Sequence, residues 1–281
     1  MAIKAVSQFQ IGTALNNRKQ AEATFRLMKE AGYEGIELCY FMIRPTSVFY
    51  KIGMKASGTP IGRGGWMDWP AIMKDSGLKV VSVHQNVKAL SKHLEKTAEE
   101  ALSLGTHYVT LSNSHTNYSS SDDVSALADW LNETGEKLRT FGLGLIYHNH
   151  NVEFLHPVPD KTAYQMLIEK TDPSLVGFEL DGFWAADAGA DVLQVMDLLG
   201  PRLKLYHITD RGSTRKSAAA TPIIPYMGAE LGRGNMNLEP MILKALDLGV
   251  EAIILETHRG WEDGDPVGSM QTSAEYLARF L

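Results

Sequence analysis

Cysteine is nearly absent from this chain: Cys39 is the only one in 281 residues. That excludes an internal disulfide and fits the reducing cytoplasm, which is the expected location. Cys39 follows "GIEL" in a strand-like run and reads as a small buried hydrophobe rather than a nucleophile. Positive charge is also short. Lys and Arg number 27 against 33 Asp and Glu, a formal net charge of −6. A binder of nucleic-acid backbones ordinarily shows a basic face, so no nucleic-acid partner is expected. There is no apolar run of about 18 residues, the length a membrane-spanning helix needs. The N-terminal "MAIKAVSQFQIG" lacks the apolar core and cleavage pattern of a signal peptide. Missing too is a glycine fingerprint after the first strand. "QIGTALNNRKQ" does not carry one, and "GRGNMN" at 232–237 is a lone, incomplete glycine motif away from a strand-to-helix start.

What the chain does have is alternation. Short apolar, β-branched runs recur between longer amphipathic patterns. The strand-like runs are "AVSQFQI", "GIELCYF", "LKVVSVHQ", "HYVTLSN", "GLGLIYHN", "LVGFELD", "LKLYHITD" and "VEAIILET". Between them lie helical patterns such as "KQAEATFRLMKEAG", stopped by Gly32, and "DDVSALADWLNETGEKLRTFG". The latter is preceded by the serine run 119–121 and opens with acidic residues, a good helix start. Eight strands alternating with helices imply right-handed parallel crossovers. The expectation is a single α/β domain over residues 1–281, a (β/α)8 TIM barrel.

In such a barrel the chemistry sits at the C-terminal ends of the strands. Those ends carry His84, Gln85 and Asn86 (strand three), and Ser112, Asn113, Ser114 and His115 (strand four). Strand five ends in His148, Asn149 and His150, followed by Glu153. Strands six, seven and eight end in Asp181, His207, and Glu256 with Thr257 and His258. Glu153, Asp181, His207 and Glu256 therefore form a candidate metal set. The first two intervals between them match one strand–helix unit each, and the third is lengthened by the insert "RGSTRKSAAATPIIPYMGAELGRG". Three carboxylates and one imidazole suit a divalent, oxygen-preferring ion. Mn²⁺ is the first choice, with Mg²⁺, Co²⁺ and Zn²⁺ as alternatives. A cation also gives three mutually repelling carboxylates a reason to share one rim. Glu37 and Glu179 lie within strands and receive no role from the sequence.

The motifs "YHNHNVEF", "FELDGFWAADAGAD", "LYHITDR", "ELGRGNMNLEPMI" and "IILETH" resemble the sugar phosphate isomerase/epimerase superfamily. This is the group of xylose isomerase-like barrels that includes ketose 3-epimerases, inosose dehydratase and endonuclease IV. The resemblance covers nearly the whole chain. In the ketose epimerases one Glu, one Asp, one His and a second Glu bind the metal, and the two glutamates exchange a carbon-bound proton. The resemblance places these roles on Glu153, Asp181, His207 and Glu256. It departs at Trp184, where those epimerases carry a histidine three residues after the ligand Asp. An indole there offers a stacking face for a sugar ring or an aromatic aglycone. "HNH" is also unlike the typical epimerase strand; it resembles uncharacterised barrels and, more loosely, the catalytic subunits of bacterial C-glycoside deglycosidases.

The implied chemistry is proton removal next to a carbonyl, through an enediolate that a divalent metal stabilises. Glu153, Glu256, His150 and His148 are the candidate acid/base groups. His150 is the first non-ligand choice, or equally a partner that orients Glu153. His84, Asn113, Trp184, Arg211 and His258 are the candidate substrate contacts, with Arg211 as a clamp for a hydroxyl or phosphate. Reprotonation of the enediolate makes an isomerase or epimerase of a keto-sugar or sugar derivative. Expulsion of a β-substituent makes a lyase or dehydratase acting on a 3-oxo-glycoside or inosose. A non-catalytic sugar-binding barrel is a third, less favoured reading. The expected partners are a small carbohydrate and either a second copy of the chain or a small accessory subunit, with no membrane.

Overall fold

The structure is a computed structural model that describes residues 2–56, 61–112, 115–212 and 228–281. Asn113 and most of the insert after strand seven lie outside the described residues. Ten strands are present among those described. They are β1 (Ile3–Ser7), β2 (Gly35–Cys39), β3 (Lys79–Asn86), β4 (Tyr108–Ser112), β5 (Gly144–His148), β6 (Val176–Asp181), β7 (Leu203–Ile208), β8 (Asp210–Arg211), β9 (Gly228–Ala229) and β10 (Ala252–Leu255). Eight of them follow the order β1-β10-β7-β6-β5-β4-β3-β2 of a closed barrel, and β8 and β9 form a separate antiparallel ribbon. The strand–helix alternation expected from the sequence is therefore present. Among the described residues no helix is long and apolar enough to cross a membrane.

The chain divides into two compact units, interleaved along the sequence. The first comprises residues 80–207 and 244–253 with the extreme N-terminus. Its ladder runs parallel from β3 to β7, with His84 opposite Thr110, Leu111 opposite Tyr147, and His148 opposite Glu179. Between β6 and β7 the register shifts at Phe178/Glu179. Phe178 pairs with Leu203, but Glu179 pairs with Leu205 and Asp181 with His207. This irregularity decides what the strand ends present, because a one-residue slip exchanges the two faces of a strand. It aligns Glu179 and Asp181, which share a face by their i, i+2 spacing, with Leu205 and His207. The helices that cover these strands start on local signals. Ser120 caps helix Ser121–Arg139 by accepting from the Asp123 amide, and Thr162 with Gln165 forms a capping box at helix Ala163–Lys170.

The second unit comprises residues 3–79, 208–243 and 254–281. Here two of the expected strands end early. "AVSQFQI" is extended only to Ser7, and Gln8–Ile11 is helical, with the Ser7 hydroxyl accepting from the Phe9 amide. The reason is tertiary. Gln8 Oε1 accepts from the Cys39 amide at 2.8 Å and Gln10 Oε1 from the Thr257 amide at 2.6 Å. Both glutamine side chains are thus buried as backbone partners rather than alternating along a strand. "GIELCYF" likewise stops at Cys39, after which Tyr40–Ile43 is helical. Cys39 is fully buried, as its apolar neighbours suggested.

The lone glycine motif "GRGNM" finds a structural explanation in this unit. Asp210 Oδ2 accepts from the amides of Gly232 and Gly234, each at 2.9 Å, and Oδ1 from Met236 at 3.1 Å and Arg211 at 2.7 Å. A side chain at Gly234 would run into the Asp210 carboxylate, so this approach needs glycine. Asp210→Ala removes the acceptor from four part-buried amides. It is expected to cost about 3 kcal/mol of stability in urea denaturation. A loss under about 0.5 kcal/mol would contradict this role for the carboxylate.

Candidate metal centre

The site in the first unit is built from three strand ends. β5 delivers His148, β6 delivers Glu179 and Asp181, and β7 delivers His207, all buried. His84 joins from β3. Asn149, completely buried, ties β5 to β6: its Oδ1 accepts from the Asp181 amide at 2.9 Å and its Nδ2 donates to the Asp181 carbonyl at 3.3 Å. The "HNH" triplet thus separates its tasks, with His148 facing the cluster and Asn149 fixing the strand ends.

Two sets of donors are close enough to share an ion. His84, His148, Glu179 and His207 can each offer one ligand atom, all within 4.8 Å of one another, and the same limit holds among His148, Asp181 and His207. Asp181 Oδ2 lies 4.0 Å from His207 Nδ1, while its Oδ1 caps the helix that follows by accepting from the Trp184 amide at 3.0 Å. Two imidazoles and a carboxylate at this spacing form a donor set for a divalent transition ion. Burial pushes the His148 imidazole down to about 4, against the raising effect of its hydrogen bond to Glu179, so it is neutral and able to ligate near pH 7. For Glu179, burial alone would raise the carboxyl. The electrostatic pull of the His207 ring beside it and the hydrogen bonds from His148 and His84 outweigh it and hold the group well below the usual range.

Glu153, expected as a ligand, is not among these donors. It follows a tight turn, in the 3-10 segment Val152–Phe154, and its carboxylate is used otherwise. Oε1 accepts from the Tyr147 hydroxyl at 2.9 Å and Oε2 from the His150 amide at 2.9 Å, and Tyr147 in turn meets the Tyr118 hydroxyl at 2.7 Å. Burial pushes the Glu153 carboxyl up, against the lowering effect of those two hydrogen bonds. The strand-five residue that joins the cluster is His148. His150 stands beside it, half-buried, with ring centroids 5.1 Å from His148 and 6.0 Å from Trp184.

Sequence reasoning missed Glu179 as a member of the cluster. The signal was available: in "FELD" it stands two residues before Asp181 and so shares its strand face. His84, taken as a substrate contact, is drawn into this cluster by Glu179.

In the second unit Glu256 follows β10 and is buried. Its Oε1 accepts from the Ser7 hydroxyl at 2.7 Å and its Oε2 lies 3.2 Å from His258 Nε2. The Thr209 hydroxyl bonds to the Glu256 carbonyl. Phe9 stands edge-on to His258 at 5.4 Å, Phe41 follows at 5.2 Å from Phe9, and Tyr50 at 6.0 Å from Phe41, an aromatic row leading away from the carboxylate. Arg211 lies on the β8–β9 ribbon, half-buried. Of the tryptophans in the segment after β2, Trp69 is core and donates to the Gly64 carbonyl, whereas Trp66 is 80% exposed.

Comparison with known proteins gives the family. A model described as xylose isomerase-like TIM barrel matches residues 25–280. No match to a curated protein was found. Among solved structures, a sugar phosphate isomerase/epimerase from Parabacteroides distasonis is 23% identical, with 98% of this chain and 92% of that one covered and a TM-score of 0.71. A probable 3-DHS dehydratase, AsbF, from Bacillus anthracis is 14% identical over 100% of both chains, with a TM-score of 0.72. The IolI protein with a zinc atom is 13% identical, with 99% and 97% covered and a TM-score of 0.69. At these identities the three structures share the fold. With the family model covering most of its length and eight strands in barrel order, the chain belongs to the xylose isomerase-like TIM barrel family.

Proposed function

We propose that this protein is a divalent-metal-dependent isomerase or epimerase of a keto-sugar or sugar derivative. The observation that carries the reading is the buried group His148, Asp181 and His207, whose donor atoms lie within 4.8 Å of one another at the ends of β5, β6 and β7. Glu256, the second glutamate of the set implied by the family resemblance, is the proposed fourth donor. Two imidazoles and two carboxylates accept Mn²⁺, Co²⁺ or Zn²⁺ more readily than Mg²⁺. The IolI relative, whose structure holds zinc, supports a metal in this family.

When bound, the ion supplies a Lewis acid for a sugar carbonyl and the hydroxyl beside it. The chain's own residues then have distinct tasks. Glu256, held by Ser7 and His258, is the proposed base for the carbon-bound proton. His150 is the non-ligand proton carrier, and Trp184, three residues past Asp181, gives a stacking face for the sugar. Glu153 holds the His150 amide and so fixes the turn that carries it. Arg211 and His258 are proposed substrate contacts, and so is Asn113.

A second reading is favoured by the aromatic row Phe9–Phe41–Tyr50 beside Glu256 and by the dehydratase among the structural relatives. In it the same proton abstraction ends in expulsion of water or an apolar aglycone from a β-carbon.

In D₂O, protein loaded with Mn²⁺, Co²⁺ or Zn²⁺ is expected to exchange deuterium into a carbon next to the carbonyl of a ketose or 3-oxo-glucoside, read by NMR. Retention of the carbon skeleton establishes the isomerase. Release of water or an aglycone establishes the second reading instead. No exchange in any such substrate with metal bound would overturn both and leave a sugar-binding barrel. The donor assignment is tested separately by calorimetric titration of Co²⁺. His148→Ala is expected to weaken binding at least about 100-fold, near 2.7 kcal/mol, whereas Glu153→Gln stays within about threefold of the parent. The reverse order would restore Glu153 as the ligand.

A further inference from the structure

Glu179 has no role in the reaction just described, yet it is the best-connected carboxylate of the site. It is fully buried, and among the described residues its ionic partners are three histidines. Oε2 lies 2.9 Å from His148 Nδ1 and 3.0 Å from His84 Nε2, and Oε1 lies 3.3 Å from His207 Nε2. A carboxylate oxygen accepts hydrogen bonds and repels a lone pair turned towards it, so the nitrogens bonded to Oε2, His148 Nδ1 and His84 Nε2, carry the hydrogen, and so does His207 Nε2, which faces Oε1 as an electrostatic contact rather than a hydrogen bond. In a neutral imidazole the lone pair is then on the other nitrogen, which is Nε2 of His148 and Nδ1 of His207. Nδ1 of His207 is also the nitrogen turned towards Asp181 Oδ2.

We propose that Glu179 is the positioning residue of this centre: one buried carboxylate selects the tautomers of His84, His148 and His207, and thereby presents His148 Nε2 and His207 Nδ1 to the ion. The inference rests on the metal-site reading above and adds to it the group that makes the imidazoles ligands. The β5–β6 register, which sets His148 opposite Glu179, and the irregularity before Glu179, which brings His207 opposite Asp181, are the backbone features that allow one carboxylate to reach all three rings. A ligand histidine commonly donates its second nitrogen's hydrogen to a carboxylate, and removal of such a carboxylate weakens metal binding by about 10- to 100-fold. Here the carboxylate is shared, so its loss acts on both imidazole ligands together. A glutamine at this position would have one oxygen and one NH2 group, and could not face all three rings with oxygen.

The test reads the tautomers directly. In metal-free protein labelled with ¹⁵N-histidine, long-range ¹H–¹⁵N correlation spectra, assigned with single histidine variants, are expected to show His148 as the Nδ1–H form. His84 and His207 are expected as the Nε2–H form. Glu179→Gln is expected to redistribute at least one of the three and to weaken Co²⁺ binding by about 10- to 100-fold, with one ion still bound per chain. Finding His148 as the Nε2–H form in the parent protein would overturn the proposal. So would a loss on Glu179→Gln equal to that of His148→Ala, which would make Glu179 a ligand itself. The expected tautomers in a protein that binds no divalent ion would sink the metal reading alone and leave the ordering of the three rings by Glu179 standing.

Discussion

Burying a carboxylate without water costs several kcal/mol unless hydrogen bonds and favourable dipoles replace its hydration. Glu179 meets that demand with imidazoles in place of a lysine or arginine. Much of the first unit's strand-end geometry serves this arrangement. His148 has to lie opposite Glu179, the β6–β7 register has to slip before it, and Asn149 has to hold the ends of β5 and β6 together. The cluster is therefore a property of backbone register as much as of residue identity. A one-residue change in that register would turn Glu179 and Asp181 to the opposite face.

Four buried carboxylates near the strand ends have four different kinds of partner, and the partners separate the roles. Among the described residues Asp210 accepts from four backbone amides and organises a loop. Glu153 is engaged by a tyrosine hydroxyl and an amide. Diverting either to an ion would leave its donors unpaired, which is costly. Glu256 and Asp181 differ. The Glu256 carboxylate is engaged by side chains, the Ser7 hydroxyl and the His258 ring, and Asp181 gives one oxygen to a helix cap and directs the other at His207. This difference is the physical ground for preferring them as donors over Glu153.

The alternation of strands and helices was legible because the period of apolar residues changes clearly between the two. The rim of polar residues was legible because it recurs at strand ends. Three details were not. Gln8 and Gln10 alternate with apolar residues and imitate a strand, whereas their side chains serve as acceptors for the backbone of Cys39 and Thr257, a contact set by distant sequence. In "HNHNVEF" two donor types lie five residues apart, and the turn between them decides which one faces the cluster. Strand parity reaches His148 and ends there. Glu179 is the opposite case. Its parity with Asp181 was readable, but a glutamate inside an apolar strand has no visible partner until β3, β5 and β7 bring their histidines to it.

The central claim is that a divalent ion is held here by imidazoles as well as carboxylates, with His148 in place of Glu153. X-ray absorption at the metal edge of the reconstituted protein tests it most directly. Two histidine nitrogens among the nearest neighbours, at about 2.1 Å for zinc, are the predicted result. Their outer-ring scattering should fall to one histidine in His148→Ala. A first shell made of oxygen with a single imidazole, unchanged by that substitution, would contradict the account and return the strand-five ligand to Glu153.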